Sequence, residues 1–326
     1  MLKLAIRVSS NSSSGRGHIE RCLAIRKYLP EKVFWFVDSD SKYIKNKIFK
    51  SDKIFYENGK HKFNILKNSL KKYFINCILI DNYNIDSKDI YNISDDIPII
   101  VFVDQNTNIK ADMLICSQPI DLDYTQGKKY LVGPKYAPIS EKFNFVKKDI
   151  KKKKNILISF GAYDSAGVTL NVIKSIKDFI ESGSYNLNII ITLTNESPII
   201  SHVKYEIKNL SNFKLVLDCK KMEDIYKDCG IALGAPGLSH LERMASGIPS
   251  ILISQNKLHS SLIDKWVKLG CGVKAESTLE SIQDKLKLFL LNDDFREKII
   301  INGRNLIDGK GAHRIATEII KMVNKR

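Results

Sequence analysis

No stretch of this 326-residue chain approaches the roughly 18 uninterrupted apolar residues of a membrane span. The N-terminal run MLKLAIRVSS turns polar too early for a secretory signal. A cytoplasmic protein without stable membrane insertion is expected. Cysteine is sparse: Cys22, Cys77, Cys116, Cys219, Cys229 and Cys271 are scattered without a CxxC pair, most of them in apolar runs. That excludes a structural zinc site of the usual spacing and predicts reduced thiols, no metal and no cofactor. Acidic residues are also short, 36 against 52 Lys and Arg, for a net charge of +16. Such a balance suits polyanions, but the lysines are spread over the whole chain and no RNA-binding aromatic signature or C₂H₂ spacing accompanies them. No nucleic-acid partner is expected, while an anionic small substrate fits the charge. There is no internal repeat.

The chain is 44% hydrophobic, enough for a sizeable core, and its length favours two domains. Short β-rich apolar runs alternate with amphipathic stretches, the mark of βαβ units and an α/β fold with parallel sheets. In the first half the runs predict strands at Lys3–Val8, Lys32–Val37, Cys77–Ile80, Ile99–Val103 and Met113–Cys116, with a helix over Ile19–Tyr28 stopped by Pro30. The basic run KKDIKKKK at 147–154 reads as a linker. Beyond it strands are predicted at Ile156–Phe160, Leu187–Leu193, Phe213–Leu217, Gly230–Leu233 and Ser250–Ile253. Helices are predicted at Val168–Ser182, Leu258–Leu269, Leu279–Leu290 and Ala312–Val323, with Gly270 as a C-terminal cap. The expected domains are 1–146 and 155–326.

Open parallel sheets bind ligands beyond the carboxyl ends of their strands, so the loops there carry the candidate chemistry. The segment SGRGHIERC, Ser14 to Cys22, follows the first strand and opens into a helix. Gly15 and Gly17 allow a ligand to approach the backbone, and the helix start favours an anion. The segment lacks the third glycine of a dinucleotide fingerprint and the lysine of a P-loop. A lone histidine is more often structural than catalytic, but His18, in the first helical turn, is placed for general-base work near neutral pH. Asp81 and Tyr83 in LIDNYNI put a carboxylate and a phenol at another strand end, with Asp81 capping the next turn as the alternative. Asp104 stands at the same edge.

In the second half Gly161 and Ala162 leave a strand before a helix. Gly234 and Gly237 in GAPGLSHLERMASGIPSI permit a tight turn, Ser239 can cap, and Glu242 in the first turn could hold both hydroxyls of a ribose; otherwise it serves only the helix dipole.

Taken in order, GxGHxxRC at Gly15–Cys22, LIDNY at 79–83, Asp104, Gly133, Tyr136, Phe143, ISFGAYD, LERMASGIPSI, Asn256 and LIDGKGAHR at 306–314 resemble one family. It comprises the UDP-sugar hydrolases of pseudaminic acid biosynthesis and their spore-coat polysaccharide relatives. The resemblance covers nearly the whole chain. It implies a GT-B fold, two Rossmann-like domains with parallel sheets facing across a cleft. It also implies metal-independent, inverting hydrolysis at C1 of a UDP-linked 2,4-diacetamido-2,4,6-trideoxy sugar, in the route to surface polysaccharide or flagellin glycosylation. By resemblance His18 is the base, Tyr83 a catalytic substrate contact and Asn256 a polar substrate-binding group. Gly15, Gly17, Asp81 and Asp104 complete the sugar side, where the positions of Arg16 and Arg21 suit them to balance negative charge, while Gly161, Ala162, Gly237, Leu238, Ser239 and Glu242 hold UDP.

The chain departs from the family pattern at Ser9, Gln105, Ser140, Ala162 and Gly167, departures expected if the nucleotide is retained and the stereochemistry of the diacetamido sugar differs. A monomer is expected. Two other readings fit: a GT-B glycosyltransferase, in which the same histidine deprotonates an acceptor hydroxyl, and a catalytically silent nucleotide-sugar binder.

Overall fold

The computed structural model describes residues 1–10, 15–29, 32–39, 42–57, 63–82, 85–93, 96–125, 127–145, 154–182 and 185–324. The chain divides into two compact units, Met1–Ser140 with Gly309–Arg326, and Glu141–Asp308.

The first unit runs β1 (Leu4–Val8), α1 (Gly17–Arg26), β2 (Val33–Val37), α2 (Lys42–Lys45), β3 (Lys53–Tyr56), α3 (Asn64–Tyr73), β4 (Cys77–Asp81), α4 (Ser87–Ile93), β5 (Ile99–Phe102), β6 (Ala111–Cys116) and β7 (Gly127–Val132). Its strands form one parallel sheet in the order β3-β2-β1-β4-β5-β6-β7. A parallel sheet is covered on both faces, so its central strands must be apolar on both. LAIRV, VFWFV and CILID are accordingly buried along their whole length. The order in which strands are added switches from one side to the other between β1 and β4, and the register Val8 to Asp81 puts their carboxyl ends side by side.

The second unit runs β8 (Asn155–Ser159), α5 (Val168–Glu181), β9 (Asn188–Leu193), α6 (Ile200–Glu206), β10 (Phe213–Leu217), α7 (Met222–Asp228), β11 (Cys229–Gly234), α8 (Leu238–Ala245), β12 (Ser250–Leu252), α9 (Lys257–Lys268), β13 (Val273–Lys274), α10 (Leu279–Leu291) and α11 (Asp293–Leu306). Its parallel sheet has the order β10-β9-β8-β11-β12-β13, with the same switch between β8 and β11. Gly270 follows α9 with φ of +67°, and the Cys271 amide bonds the Trp266 carbonyl, so the glycine caps that helix as predicted.

The unit boundaries differ from the expected ones. The last helix, α12 (Gly311–Asn324), belongs to the first unit, not the second. Its Ala312, Ile315, Ala316 and Ile319 join Ile19, Cys22 and Ile25 in one buried cluster. Gly311 lies so close to the backbone of Ala137 that any side chain there would collide with it. The apolar face of α12 thus completes a core that the first 140 residues leave uncovered. The predicted linker at 147–154 falls, up to residue 153, outside the described residues.

Candidate active site

The loop after β1 leads into α1 through Gly15, whose φ of +72° is a conformation that only glycine adopts freely. Arg16 is the N-cap residue of α1, and its guanidinium lies 4.2 Å from the Tyr43 ring centroid. Gly17 begins the helix, and His18, 4% exposed, is its second residue.

His18 and Arg21 lie one turn apart and therefore on one face of α1, and both meet Asp81 at the end of β4. His18 Nδ1 is 2.5 Å from Asp81 Oδ1, Arg21 Nε donates to Oδ2 at 2.5 Å, and Arg21 Nη2 also donates to Oδ1. Arg21 Nη1 reaches both oxygens of Asp104 at 3.0 Å, and its guanidinium lies 4.6 Å from the Phe102 ring centroid. Burial alone would raise the Asp81 carboxyl. The charges of Arg21 and His18, and the hydrogen bonds from both, outweigh burial and hold it well below the usual carboxylate range. Asp81 is therefore ionised and accepts a proton-bearing Nδ1. In the neutral imidazole the lone pair then falls on Nε2, the nitrogen that can take a proton from a substrate.

Asp81 and Arg21 were expected among the substrate contacts, and their surroundings correct that. The Asp81 side chain is wholly buried and that of Arg21 7% exposed, their polar atoms engaged with each other, His18 and Asp104. They orient the histidine. Asp81 does not merely cap the following turn. Asp104 keeps 10% exposure, so it closes the network at its outer rim. Tyr83 lies outside the described residues.

The loop after β1 is further tied down by Asp38, beyond β2. Its carboxylate accepts from the Ser9 hydroxyl at 2.9 Å and from the Ser10 amide and hydroxyl at 2.7 and 2.8 Å. Burial raises the Asp38 carboxyl, but these bonds and Arg7 bring it below its ordinary value. Sequence reasoning passed over Asp38, whose polar position just after an apolar strand was the available signal.

In the second unit Gly161 has φ of +90° and open space where a side chain would be, and the Ala162 carbonyl accepts from the Thr194 amide. The following helix start is no longer open to an anion. Asp164, 3% exposed, accepts from the Val168 and Thr169 amides at 3.2 and 2.6 Å, so a carboxylate of the chain already fills that place. Gln255 braces it, donating to Asp164 at 2.8 Å and to the Phe160 carbonyl at 3.0 Å.

The start of α8 is different. Gly237 is its N-cap residue, no side chain caps it, and Leu238 and Ser239 form its first turn. Ser239, expected as a cap, does not cap; its hydroxyl lies inside the helix and accepts from Arg243 at 3.3 Å. Glu242 is the fifth residue of α8, one turn further in than predicted, half-buried and 3.4 Å from the Tyr226 hydroxyl.

Arg243, which the sequence reading passed over, shapes the loop. Fully buried, it donates to the Ser250 hydroxyl at 2.9 Å and to the Ala235 carbonyl at 2.7 Å. A side chain on Gly234 would come within 2.5 Å of the Ser159 carbonyl oxygen and 2.7 Å of this guanidinium, so glycine is required there. Asn256, a candidate substrate contact, has a second role. It is the N-cap of α9, accepting from the His259 amide at 2.9 Å, because an Asn in extended conformation before a helix satisfies an otherwise orphaned donor.

No protein-family model matches the chain. It is 26% identical over 292 residues to the uncharacterized protein MJ1062 of Methanocaldococcus jannaschii, covering 82% of this chain and 58% of that protein. It is 23% identical over 200 residues to the spore coat polysaccharide biosynthesis protein SpsG of Bacillus subtilis, covering 59% of this chain and 58% of that one. The matches thus span less than two thirds of either relative.

Among solved structures, MnaA of S. aureus with UDP superposes with a TM-score of 0.71 at 12% identity, covering 99% of this chain and 97% of that one. A UDP-GlcNAc 2-epimerase of Neisseria meningitidis bound to UDP-GlcNAc gives 0.67 at 12%, covering 98% and 100%. A glycosyltransferase of Rickettsia africae gives 0.68 at 12%, covering 100% and 99%. Two parallel-sheet Rossmann-like domains with these neighbours define a GT-B fold.

Proposed function

We propose that the protein is an enzyme acting on a UDP-sugar and that it hydrolyses the C1–O bond. The observation that carries this reading is the Nδ1 contact of His18 with a buried, ionised Asp81. That arrangement makes Nε2 the general base. Nε2 takes a proton from water as the water oxygen bonds C1. The C1–O bond breaks with its electron pair passing to the β-phosphate oxygen, so UDP and the free sugar leave and the anomeric configuration inverts. Departing UDP carries its charge without a proton donor, which leaves positioning and proton removal as the protein's tasks.

The nucleotide is assigned to the second unit, at the uncapped start of α8, with Gly237, Leu238 and Ser239 toward the diphosphate and Glu242 toward the ribose. Support for a nucleotide-sugar role comes from SpsG, named for polysaccharide biosynthesis, and from the UDP and UDP-GlcNAc held by two structural neighbours. The sugar we assign is a 2,4-diacetamido-2,4,6-trideoxy hexose, on the motifs from Gly15 to Arg314.

The test is UDP release from a panel of UDP-sugars without any acceptor. Release with free diacetamido sugar is expected. No turnover without an acceptor, and turnover once one is added, would replace hydrolysis by transfer.

A further inference from the structure

We propose that the amino edge of the first unit's sheet docks on an anionic phospholipid membrane. A depression there is lined by Lys3, Lys32, Lys72, Phe34, Tyr73 and Phe74. These residues come from the starts of β1 and β2 and the end of α3, so the topology gathers cations and rings at one edge.

Three observations concur. Phe74 is 74% exposed, among the largest exposures of any apolar side chain of the described residues. It also has φ of +55° in the left-handed cap of α3, where the Ile75 amide bonds the Leu70 carbonyl at 2.9 Å. That position ordinarily takes glycine, and a bulky ring there is strained. Strain and exposure together at one ring are the outlier from which a contact role is inferred.

The third observation is charge. Lys3 and Lys72 lie 4.9 and 5.6 Å from the ring centroids of Phe74 and Tyr73, and Lys53 lies 4.7 Å from that of Tyr73. Among the described residues none of Lys3, Lys32, Lys53 and Lys72 has a carboxylate partner, whereas Lys128 and Lys129 of the same unit pair with Asp112 and Glu318.

Unpaired ammoniums around a protruding ring match an anionic lipid surface: the lysines meet headgroup phosphates and the ring enters the interface. Each lysine near such a surface strengthens binding about fivefold. His18 follows the carboxyl end of β1, and five residues of strand separate the two edges by about 16 Å. Docking therefore leaves the histidine open to a water-borne substrate, and a lipid acceptor gains no support from this patch.

The test is co-sedimentation of the full chain with vesicles of phosphatidylcholine plus phosphatidylglycerol, and with vesicles of phosphatidylcholine alone. The proposal expects binding to the mixed vesicles only, weakened by salt, and at least tenfold weaker for Lys3→Glu combined with Lys72→Glu. Phe74→Gly should bind several-fold more weakly while its thermal midpoint holds or rises, because glycine relieves the cap. Equal sedimentation with both vesicles, no sedimentation with either, or undiminished binding by the lysine variant would overturn it. So would tighter binding of a single-stranded RNA oligonucleotide that is lost in Phe74→Gly.

Discussion

Both units bury an arginine behind a loop that leaves a central strand, and they satisfy it in different ways. Arg21 is held by two carboxylates, Asp81 and Asp104, and shares the first with His18. Arg243 is held by two hydroxyls and a carbonyl, with Tyr226 and Glu242 close enough to oppose the fall in its pKa that burial causes. The first arrangement fixes the tautomer of a titratable ring and suits chemistry. The second rigidifies a glycine turn before a helix start and suits binding. The contrast also extends to acid. In the first unit the half-buried to buried Asp38, Asp52 and Asp81 are held below their ordinary range, as is Glu318 nearer the surface, whereas the depressed carboxylates of the second, Glu206 and Asp224, are both near the surface.

Substitutions that separate chemistry from binding break this comparison most sharply. His18→Gln should lower turnover about 10³-fold, the scale of general-base catalysis, with UDP affinity kept; rate assays and calorimetry together check this. Asp81→Asn should cost both activity and stability. Turnover should drop about 10²-fold, and the fold should lose about 3 kcal/mol in denaturant titration, because Arg21 loses a buried counter-charge. Turnover near the wild-type rate would show that the tautomer is not set by Asp81.

The second unit should respond in the opposite sense. Arg243→Met should weaken UDP binding about tenfold through a loosened Gly234–Gly237 turn, while the rate at saturating substrate holds. Glu242→Gln should weaken UDP about fivefold by calorimetry, as expected for one charge-assisted hydrogen bond.

The smallest effect is on pH. Asp81 is depressed in the folded state, so its stabilisation is complete above the unfolded carboxylate value of about 4 and is lost as pH falls below it. The thermal midpoint of wild type should therefore fall more steeply below pH 4 than that of Asp81→Asn. Parallel curves would remove Asp81 as a source of acid sensitivity.

Much of the fold was legible because buried parallel strands are unbroken apolar runs. VFWFV and ILIS could be little else, and their predicted bounds hold to within a residue. The edge strands β3 and β7 were not legible, since KIFY and GKKYLV are largely half-exposed and carry lysines. Nor was the return of α12, because its apolar stripe fits either core and only the approach of Gly311 to Ala137 decides.

In the candidate site, His18, Asp81 and Arg21 were recognisable as polar residues at strand and helix ends, but their division of labour was not. Which of them is buried depends on the register that brings β4 beside β1. Asn256 reads as a ligand group because an amide before a helix looks the same whether it binds a ligand or caps the helix. Arg243 gave no signal inside LERMASG, since an arginine on a short helix is ordinarily solvated.

The central claim, that buried Asp81 makes Nε2 of His18 the proton acceptor, is tested most directly by ¹⁵N NMR of the imidazoles. His18→Gln identifies the His18 signals. At a pH where His18 is neutral, the account predicts a protonated, pyrrole-type Nδ1 and an unprotonated, pyridine-type Nε2. A proton on Nε2 with Nδ1 bare would contradict it.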